Sequence, residues 1–288
     1  MDLSIIIPSY NTADLLDRCL DSVFRGVKDA AFSWEIIVVD NASKDGTIEL
    51  LNKKYTRVHT VLNKENIGYG KANNIGIRMA IGKYILLLNS DIIVENRAIE
   101  TLFSFIKRHP DCFVGGRLLN EDKSTQTSAG PFPTLPVVFL SLFVRGDRLG
   151  LTRYSPDRVS SVDWLSGACL GGAKKDFLDV GLFDEEIFMY MEEVEFLYRA
   201  SQKGYRAVFS PEAVFVHTGA ASSGSRREPV VNIYRGFVYF YRKHRSIMEQ
   251  RLLGVLLKLK AVSAIVIGRL SGSSYLVSTY EKALSICR

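Results

Sequence analysis

The chain has few cysteines and no long apolar run. Its four cysteines lie far apart and form no CxxC or Cys/His pair, which favours reduced cysteines in a cytoplasmic protein over a disulfide framework. No stretch approaches the roughly 20 uninterrupted apolar residues that cross a bilayer. The N-terminus has no basic region followed by an apolar signal segment. We therefore expect neither secretion nor a membrane span.

Two nucleotide-binding motifs are also missing. No G-x-G-x-x-G follows the apolar run Leu3–Ile7, and no Walker A sequence occurs anywhere in the chain. The short element Gly68-Tyr69-Gly70 lacks the third glycine of the dinucleotide motif. These absences argue against a dinucleotide-binding domain and a P-loop. With 47% hydrophobic and 24% charged residues, the composition is that of an ordinary globular protein and excludes collagen, coiled coil and wholesale disorder.

Charge is unevenly distributed along the 288 residues. Residues 225–288 carry 12 Lys and Arg against 3 Asp and Glu, whereas residues 1–224 carry 25 against 28. A near-neutral body with a basic C-terminal part suggests that this part meets an anionic partner. Charge alone does not choose among nucleic acid, phosphorylated lipid and a membrane surface.

Short apolar runs alternate with helical patterns in the first half. Leu3–Pro8, Glu35–Asp40 and Tyr84–Leu88 read as strands covered on both faces, as in a parallel sheet. Three helices are expected between them: one capped by Thr12 or Asp14 and running to Phe24, one over Thr47–Tyr55, and one over Gly70–Ile81. This alternation predicts an α/β layer built from crossover units.

The second half is less regular. Asn120–Pro136 has no clear period and reads as a loop that could include a hairpin. Asp184–Lys203 is predicted as a helix that ends before Gly204. Gly219–Glu228 is small and polar and would suit a mobile segment near a site. Val230–Arg245 and Arg251–Leu270 are predicted as basic amphipathic helices.

Polar residues follow three of the predicted strands. These groups are Pro8–Asn11, Asp40–Ser43 and Asn89–Asp91. In an open α/β sheet, ligands bind beyond the carboxyl ends of the strands. If the strands are parallel, the three groups meet at one rim, which we expect to bind the ligand.

Ordered sequence blocks identify a family. LSIIIPSYN, EIIVVDNASKDGT, ENIGYGKANNIGI and YILLLNSD strongly resemble the donor half of family 2 glycosyltransferases, which are inverting enzymes of the GT-A fold. DWLSGACLGG, GLFDEEIFMYMEEVEFLYR and VFVHTGAAS continue the match, so that the resemblance spans about residues 3–218. The Asn-x-Asp motif and the FMYMEEVEF segment look most like bacterial rhamnosyltransferases of cell-surface polysaccharide assembly.

The resemblance implies roles for the donor-binding residues. Tyr10 would pack on the nucleobase, and Asp40 would accept a hydrogen bond from N3–H of uracil or thymine. The alternatives are an ordinary turn aromatic for Tyr10 and a helix cap for Asp40. The remaining donor-binding candidates are Pro8, Asn11, Asn66, Gly70, Lys71, Asn73, Asn89 and Ser90. For those from Asn66 to Asn73, which approach a helix start suited to phosphate or ribose, a plain loop with a solvated lysine is nearly as good an interpretation.

Asn89-Ser90-Asp91 occupies the place of the family's Asp-x-Asp motif. Asp91 would hold a divalent cation, Mg²⁺ or Mn²⁺, which neutralises the diphosphate, and the resemblance makes His217 a second ligand. Asn89 replaces an acidic residue and adds no charge, although it can still bind a ribose hydroxyl. A structural histidine and a strand-end aspartate are the alternatives.

The family's general base aligns with Glu193. In the predicted helix, side chains of consecutive residues point about 100° apart, so only one of Glu192 and Glu193 can face the anomeric carbon well. Glu193 would take the proton of the acceptor hydroxyl, and Glu192 would bind the acceptor. Trp164 and Gly167 would line the acceptor wall, although a core tryptophan is almost as good an interpretation. A solvated acidic helix face is the alternative for the glutamates.

These observations predict a GT-A, Rossmann-like α/β fold with a mixed, mainly parallel sheet flanked by helices. Residues 1–224 would form the catalytic domain, with a donor half to about residue 115 and an acceptor half from 116. Residues 225–288 would form a basic helical extension on an anionic membrane surface, at the inner face of the cell membrane, with a homodimer interface as the alternative. No nucleic acid is expected as a partner, because no nucleic-acid fold motif accompanies the basic residues.

The expected function is inverting transfer of a sugar, with rhamnose implied by the narrower resemblance. The donor would be a dTDP- or UDP-sugar, and the acceptor a glycan or polyprenyl-diphosphate-linked hydroxyl. A sugar nucleotidyltransferase is a weaker alternative, because PSYN is not a glycine-rich phosphate loop. A non-catalytic subunit that binds nucleotide-sugars is a further alternative.

Overall fold

A computed structural model describes residues 1–219 and 227–287. The predicted boundary at residues 224 and 225, and most of the predicted mobile segment Gly219–Glu228, lie outside the described residues. The elements are, in chain order, β1 (Leu3–Ser9), α1 (Ala13–Val27), β2 (Trp34–Asp40), α2 (Thr47–Lys54), β3 (His59–Leu62), α3 (Tyr69–Met79), β4 (Tyr84–Leu88), β5 (Ile92–Val94), α4 (Ala98–Arg108), β6 (Cys112–Leu119), β7 (Thr125–Gln126), β8 (Ala129–Gly130), α5 (Leu135–Phe143), β9 (Ser160–Val162), β10 (Trp164–Leu165), β11 (Cys169–Ala173), α6 (Lys174–Val180), α7 (Glu192–Gln202), β12 (Arg206–His217), α8 (Arg227–His244), α9 (Ile247–Leu270) and α10 (Ser274–Ile286).

The central sheet has the strand order β3-β2-β1-β4-β11-β6-β12-β5. Strands β1 to β4 are parallel neighbours, and β6 is parallel to β12, whereas β11 is antiparallel to both β4 and β6. The expected mixed α/β sheet is therefore confirmed. Pro8 falls in β1 beyond Ile6, where the pairing with β4 ends, so its missing N–H removes no bond of that ladder.

Helices cover both faces of the sheet. Alternate residues of β1 point to opposite sides, so Leu3, Ile5 and Ile7 pack with α1 and α4, while Ile6 packs with α3 and α7. All four of these side chains are fully buried. The continuous apolar run of β1 thus reflects burial on both faces, which is the reason it was recognisable as a strand.

Helices α8, α9 and α10 form a third apolar cluster together with α5. Tyr234, Phe240 and Tyr241 of α8 are almost completely buried in it, as are Leu253 and Leu257 of α9. Helix α9 starts at a capping box in which Ser246 and Glu249 exchange hydrogen bonds with each other's backbone N–H. The C-terminal helices therefore pack together as one layer. Helices α8 and α9 correspond to the two helices predicted from the sequence, and α10 is a further helix that the sequence pattern did not indicate. Within the described residues, no helix has the length and apolarity to cross a membrane.

Candidate active site

The ends of β1 and β2 are joined at the predicted rim. Asn11 accepts a hydrogen bond from the backbone N–H of Lys44 at 2.7 Å and donates its own backbone N–H to Ser43 Oγ at 2.8 Å. Asp40 is fully buried, and its Oδ2 accepts the backbone N–H of Ser43 at 2.9 Å. Its Oδ1 has no partner among the described residues. Asp40 therefore holds its own loop with one oxygen and offers the other as an acceptor, beside the half-buried Tyr10.

The end of β4 joins the same rim. The hydroxyl of Thr12 donates to Ser90 Oγ at 3.0 Å and lies 3.1 Å from Ser9 Oγ, which ties the ends of β1 and β4 together. Asn89 donates its backbone N–H to the carbonyl of Ala168 at 3.2 Å, and its buried Oδ1 is unpartnered in the part of the chain that the structure describes. Buried polar atoms are normally hydrogen bonded, so an open acceptor here marks a place for a ligand.

His217 faces this rim from the end of β12. Its Nε2 lies 3.2 Å from Asp91 Oδ1 and 3.2 Å from Asn89 Nδ2, and its Nδ1 lies 2.6 Å from Gln126 Oε1. An amide oxygen only accepts, so we assign the ring proton to Nδ1 and a lone pair to Nε2. Asp91 and His217 thus present two acceptor atoms to each other, an arrangement that a shared cation or proton satisfies.

These two side chains do not form a complete metal cage. In residues 1–219 and 227–287, no group of three or more His, Cys, Asp and Glu residues could hold a metal ion. Two protein ligands leave most positions of an octahedral cation to other oxygens, such as those of a diphosphate. Gln126 orients the imidazole, and its own amide nitrogen donates to Asn120 Oδ1 at 3.0 Å. Gln126 lies in β7, which pairs antiparallel with the end of β6, in the segment that we interpreted as a loop with room for a hairpin. No sequence signal indicated the role of Gln126.

The start of α3 is close to the acidic helix. Gly68 has a φ of +87°, and a Cβ there would lie 2.3 Å from the carbonyl oxygen of Phe188, so no other residue fits. Gly70 packs against Phe183 and the Cβ of Glu192. The glycines are thus explained by close packing of α3 against the segment before α7.

Two asparagines and a lysine accompany this start. Asn66 Oδ1 accepts the backbone N–H of Gly68 at 3.1 Å. Asn73 is fully buried, and its Nδ2 donates to the carbonyl of Tyr69 at 3.1 Å, while its Oδ1 has no partner among the described side chains. Lys71 is half-buried. Asn66 therefore serves the loop, whereas Asn73 keeps an open acceptor.

The prediction of a helix from Asp184 is wrong for its first eight residues. Helix α7 begins at Glu192, because Tyr190 and Met191 have φ angles of 67° and 76°, outside the helical region. The carbonyl of Phe188 instead accepts the backbone N–H of Tyr69 at 3.1 Å. The correction moves the two consecutive glutamates from the middle of a helix to its first turn.

Glu192 and Glu193 lack charge partners that would balance their burial. Their Oε2 atoms are buried and make no hydrogen bond within the described ranges. Burial raises the pKa of both carboxyls, and the charge of Glu193 raises the pKa of Glu192 further. For Glu193, backbone N–H groups, including that of Gly167, and the charge of Arg153 oppose the shift. Within the coupled pair, these groups favour ionisation of Glu193 over ionisation of Glu192.

Gly167 lies beside Glu193, whereas Trp164 is buried nearby in the chain. The hydroxyl of Tyr69 donates to the carbonyl of Gly167 at 2.6 Å, and a Cβ on Gly167 would come within 3.0 Å of that hydroxyl. Trp164 is 7% exposed, its Nε1 donates to the carbonyl of Pro131, and the guanidinium of Arg153 lies 5.3 Å from its ring centroid. The structure thus places Trp164 in the core, the alternative left open by the sequence, and places Arg153, which sequence reasoning missed, against it.

Glu195 has a different environment on the same helix. Arg199, Lys243 and His244 contact its carboxylate at 2.9, 2.8 and 3.0 Å. These partners outweigh burial and lower its pKa. Lys243 also pairs with Asp184, so that α8 is attached to the catalytic part through two carboxylates. Arg199 is used within the protein and does not reach the strand-end rim.

The segment around Gly167 connects the two halves of the candidate site. Its neighbour Ala168 binds the backbone of Asn89 at the rim, while Gly167 contacts Tyr69 and approaches Glu193. The open acceptor of Asn89 at the rim is thereby linked to the carboxyl pair of Glu192 and Glu193. Open acceptors suit the hydroxyl groups of a polyhydroxylated ligand, and the adjacent carboxylate is able to accept a proton.

Known proteins resemble this chain in sequence. The chain is 28% identical over 258 residues to N-acetylglucosaminyl-diphospho-decaprenol L-rhamnosyltransferase of Mycobacterium tuberculosis, with 80% of each chain covered. It is 28% identical over 209 residues to the low-salt glycan biosynthesis hexosyltransferase Agl10 of Haloferax volcanii, covering 70% of this chain and 62% of that protein.

A solved structure supports the fold. The crystal structure of GalNAc-T7 with UDP, GalNAc and Mn²⁺ matches with a TM-score of 0.58 at 19% identity, covering 84% of this chain and half of that one. The family model of Glycosyl transferase family 2 matches residues 4–157, more than half of the chain. The expected resemblance is confirmed, and the chain belongs to glycosyl transferase family 2.

Proposed function

We propose that this glycosyltransferase moves a sugar from a dTDP- or UDP-linked donor to a hydroxyl of a lipid-linked or growing glycan in cell-surface polysaccharide synthesis, with inversion at the anomeric carbon. The observation that carries the proposal is the carboxyl pair at the start of α7, with Glu192 buried and Glu193 half-buried, next to a rim of open hydrogen-bond acceptors. Rhamnose is the sugar that we propose, on the similarity to the mycobacterial enzyme named above.

Asp40 supports a pyrimidine donor. Its Oδ1 is a buried acceptor without a partner among the described residues, and N3–H of uracil or thymine is a matching donor. Tyr10 beside it offers an aromatic face for the base. Pro8 and Asn11 shape the turn, and Asn73 and Asn89 offer open oxygens to ribose hydroxyls.

Asp91 and His217 support a divalent cation, Mg²⁺ or Mn²⁺. Their facing acceptor atoms, 3.2 Å apart, and the unpartnered oxygen of Asn89 suit such an ion. When bound, it would neutralise the charge of the diphosphate leaving group. Gln126 keeps the proton on His217 Nδ1 and thereby keeps Nε2 available as a ligand.

Glu193 would act as the base. Its carboxylate takes the proton of the acceptor hydroxyl while the hydroxyl oxygen bonds to the anomeric carbon and the bond from that carbon to the diphosphate breaks. Glu192, retaining its proton, would donate a hydrogen bond to the acceptor, and Gly167 leaves room at the wall. We place the enzyme at the inner face of the cell membrane, where a polyprenyl-linked acceptor would be met.

The substitution Asp40→Asn tests the donor class. The asparagine oxygen would stay with the N–H of Ser43, so that the amide N–H₂ would face N3–H of the base and leave two donors opposed. We expect the affinity for UDP and dTDP to fall about tenfold to hundredfold and that for CDP to rise, because N3 of cytosine is an acceptor. Calorimetric titration of each nucleotide with Mn²⁺ measures this.

The exposed Asp29→Asn, with the same charge change, is the matched control and should bind as wild type. Selective binding of GDP over the pyrimidine nucleotides would contradict the role of Asp40. Nucleotide-sugar binding without transfer to any hydroxyl acceptor would instead favour a non-catalytic binding subunit.

A further inference from the structure

Helix α9 has an apolar face that the protein does not cover. Its exposed apolar side chains repeat at intervals of four and three residues and are each between 47% and 54% exposed: Leu252, Val255, Leu259, Val262 and Val266. Residues 253, 257, 261 and 264 of the same helix are buried in the C-terminal layer. At about 100° per residue, the two sets lie on opposite sides of the helix, so these five residues form an outward stripe, here called the apolar stripe.

Cationic residues border the apolar stripe. Arg251, Lys258 and Arg269 are exposed and, by helical geometry, follow one edge of the stripe, while Lys260 lies beyond the other. Lys260 Nζ is 5.8 Å from the ring centroid of Phe143 in α5, where Phe139 and Phe143 extend the exposed apolar surface. The single acidic residue of α9, Glu249, is held in the capping box of its first turn.

A cavity of about 420 Å³ opens beside the edge formed by Arg251 and Lys258. It lies between α8, α9 and the end of α10, and is lined by Arg242 in addition to those two residues. Tyr241 also lines it, is 1% exposed, and its hydroxyl has no partner in the described part of the chain. Burial raises the pKa of Tyr241 to about 12, so the phenol keeps its proton and can donate. We call this the cationic cavity.

Charge decides between the occupants that an apolar stripe could have. In a pair of copies joined along the stripe, Arg251 and Lys258 of the two cationic edges would meet, and Glu281 nearby is already paired with Arg269. Like charges disfavour such a contact. Nucleic acid would satisfy the cations but leave the apolar stripe against a polar backbone. An anionic bilayer satisfies both, because it offers acyl chains between phosphate groups.

We propose that α9, with α5 and the cationic cavity, docks this enzyme on an anionic phospholipid membrane. The apolar stripe enters the level of the acyl chains, and the cationic cavity takes the phosphate of one lipid headgroup, with Tyr241 as an added donor. Because Lys243 joins α8 to Asp184 and Glu195, the docked helices hold the acidic helix start in a fixed relation to the membrane. This interaction goes beyond sugar transfer and does not depend on the donor or acceptor.

The test is flotation of the full chain with vesicles, without any donor. We expect binding to vesicles of equal parts phosphatidylglycerol and phosphatidylcholine, and little to phosphatidylcholine alone. Arg251→Gln with Lys258→Gln should weaken binding about 30-fold, from about fivefold per charge. The matched control, Lys28→Gln with Lys53→Gln on exposed positions at the end of α1 and in α2, should change it less than about twofold.

Two further variants separate the parts of the surface. Leu259→Ser should weaken binding about tenfold with the charges intact, since an apolar side chain is removed from the interface. Tyr241→Phe should also weaken binding about tenfold, because it removes the hydroxyl that is proposed to donate to the lipid phosphate. Unchanged melting temperatures show that the variants are folded.

Several results would overturn the proposal. If the lysine control loses as much vesicle binding as Arg251→Gln with Lys258→Gln, the proposed surface is not the one that binds the membrane. Equal binding of the wild type to phosphatidylcholine alone would show that anionic lipid is not recognised. A dimer in sedimentation velocity that dissociates on Leu259→Ser would assign the stripe to a second copy. Unchanged binding of Tyr241→Phe would remove the cavity as a headgroup site.

Discussion

Glu193 and Glu195 lie two residues apart on α7 and are both largely withdrawn from solvent, yet their surroundings differ. The carboxylate of Glu195 is met by Arg199, Lys243 and His244, and its pKa is lowered. Glu193 has a buried oxygen without a hydrogen-bond partner in the described residues, and its pKa is raised. The same residue type is therefore a structural anchor on one side of the helix and a candidate proton acceptor on the other.

The difference follows from what each side of α7 faces. Glu195 points toward α8, whose basic residues complete an ion-pair network. Glu192 and Glu193 lie in the first turn, toward Tyr69, Gly70 and Gly167, which bring few charges and no cationic side chain as close as those around Glu195. Unpaired buried carboxyls cost stability, so their retention is best explained by a chemical use.

The substitution with the largest expected effect is Glu193→Gln. It keeps the shape of the side chain but removes the proton acceptor, so the rate of sugar transfer should fall by about 10³-fold, within the range for loss of a general base. Donor affinity measured by calorimetry should remain close to that of wild type. Transfer at the wild-type rate would remove Glu193 as the base.

Glu195→Gln should act on stability instead. It leaves Arg199 and Lys243 without their buried anion, and we expect the free energy of unfolding to fall by about 3 kcal/mol, measured by urea denaturation. Glu281, whose ion pair with Arg269 is exposed on both sides, offers a control: Glu281→Gln should cost less than about 1 kcal/mol. If Glu195→Gln is no more destabilising than this control, the network does not anchor α8.

The substitution Gln126→Leu tests whether Gln126 positions His217 as a metal ligand. Loss of the amide oxygen frees His217 Nδ1, and a displaced second-shell partner commonly costs about 10- to 100-fold in metal affinity. Mn²⁺ titration in the presence of nucleoside diphosphate measures the change. Gln126→Glu, which keeps an acceptor at the same place, should retain the affinity, and a loss as large as that of leucine would argue against this positioning role.

The smallest effect is expected for Glu192→Gln. If Glu192 is protonated at neutral pH, the amide replaces a group of the same charge and shape, so transfer should change less than about tenfold. A loss as large as that of Glu193→Gln would mean that the two carboxyls have exchanged roles.

Much of the fold was predictable, because β1, β2 and β4 are continuous apolar runs that burial on both faces requires. The polar residues after these strands could likewise be placed at one rim. The start of α7 could not be predicted, because Tyr190 and Met191 adopt positive φ angles although neither is glycine. The segment before α7 is held there by its contact with α3, where the backbone N–H of Tyr69 donates to the carbonyl of Phe188. Gln126 and Arg153 reach the site from distant, irregular segments, and such contacts leave no local pattern in a single sequence.

The pH dependence of kcat/KM, measured between pH 4 and 8, tests the central claim most directly. A raised pKa means that Glu193 stays protonated, and inactive as a base, to a higher pH than an ordinary glutamate. The rate should therefore rise with pH through a midpoint above the ordinary value of 4.5, and this limb should be absent in the residual activity of Glu193→Gln. A midpoint at or below 4.5, or the same limb in Glu193→Gln, would contradict the assignment of the base.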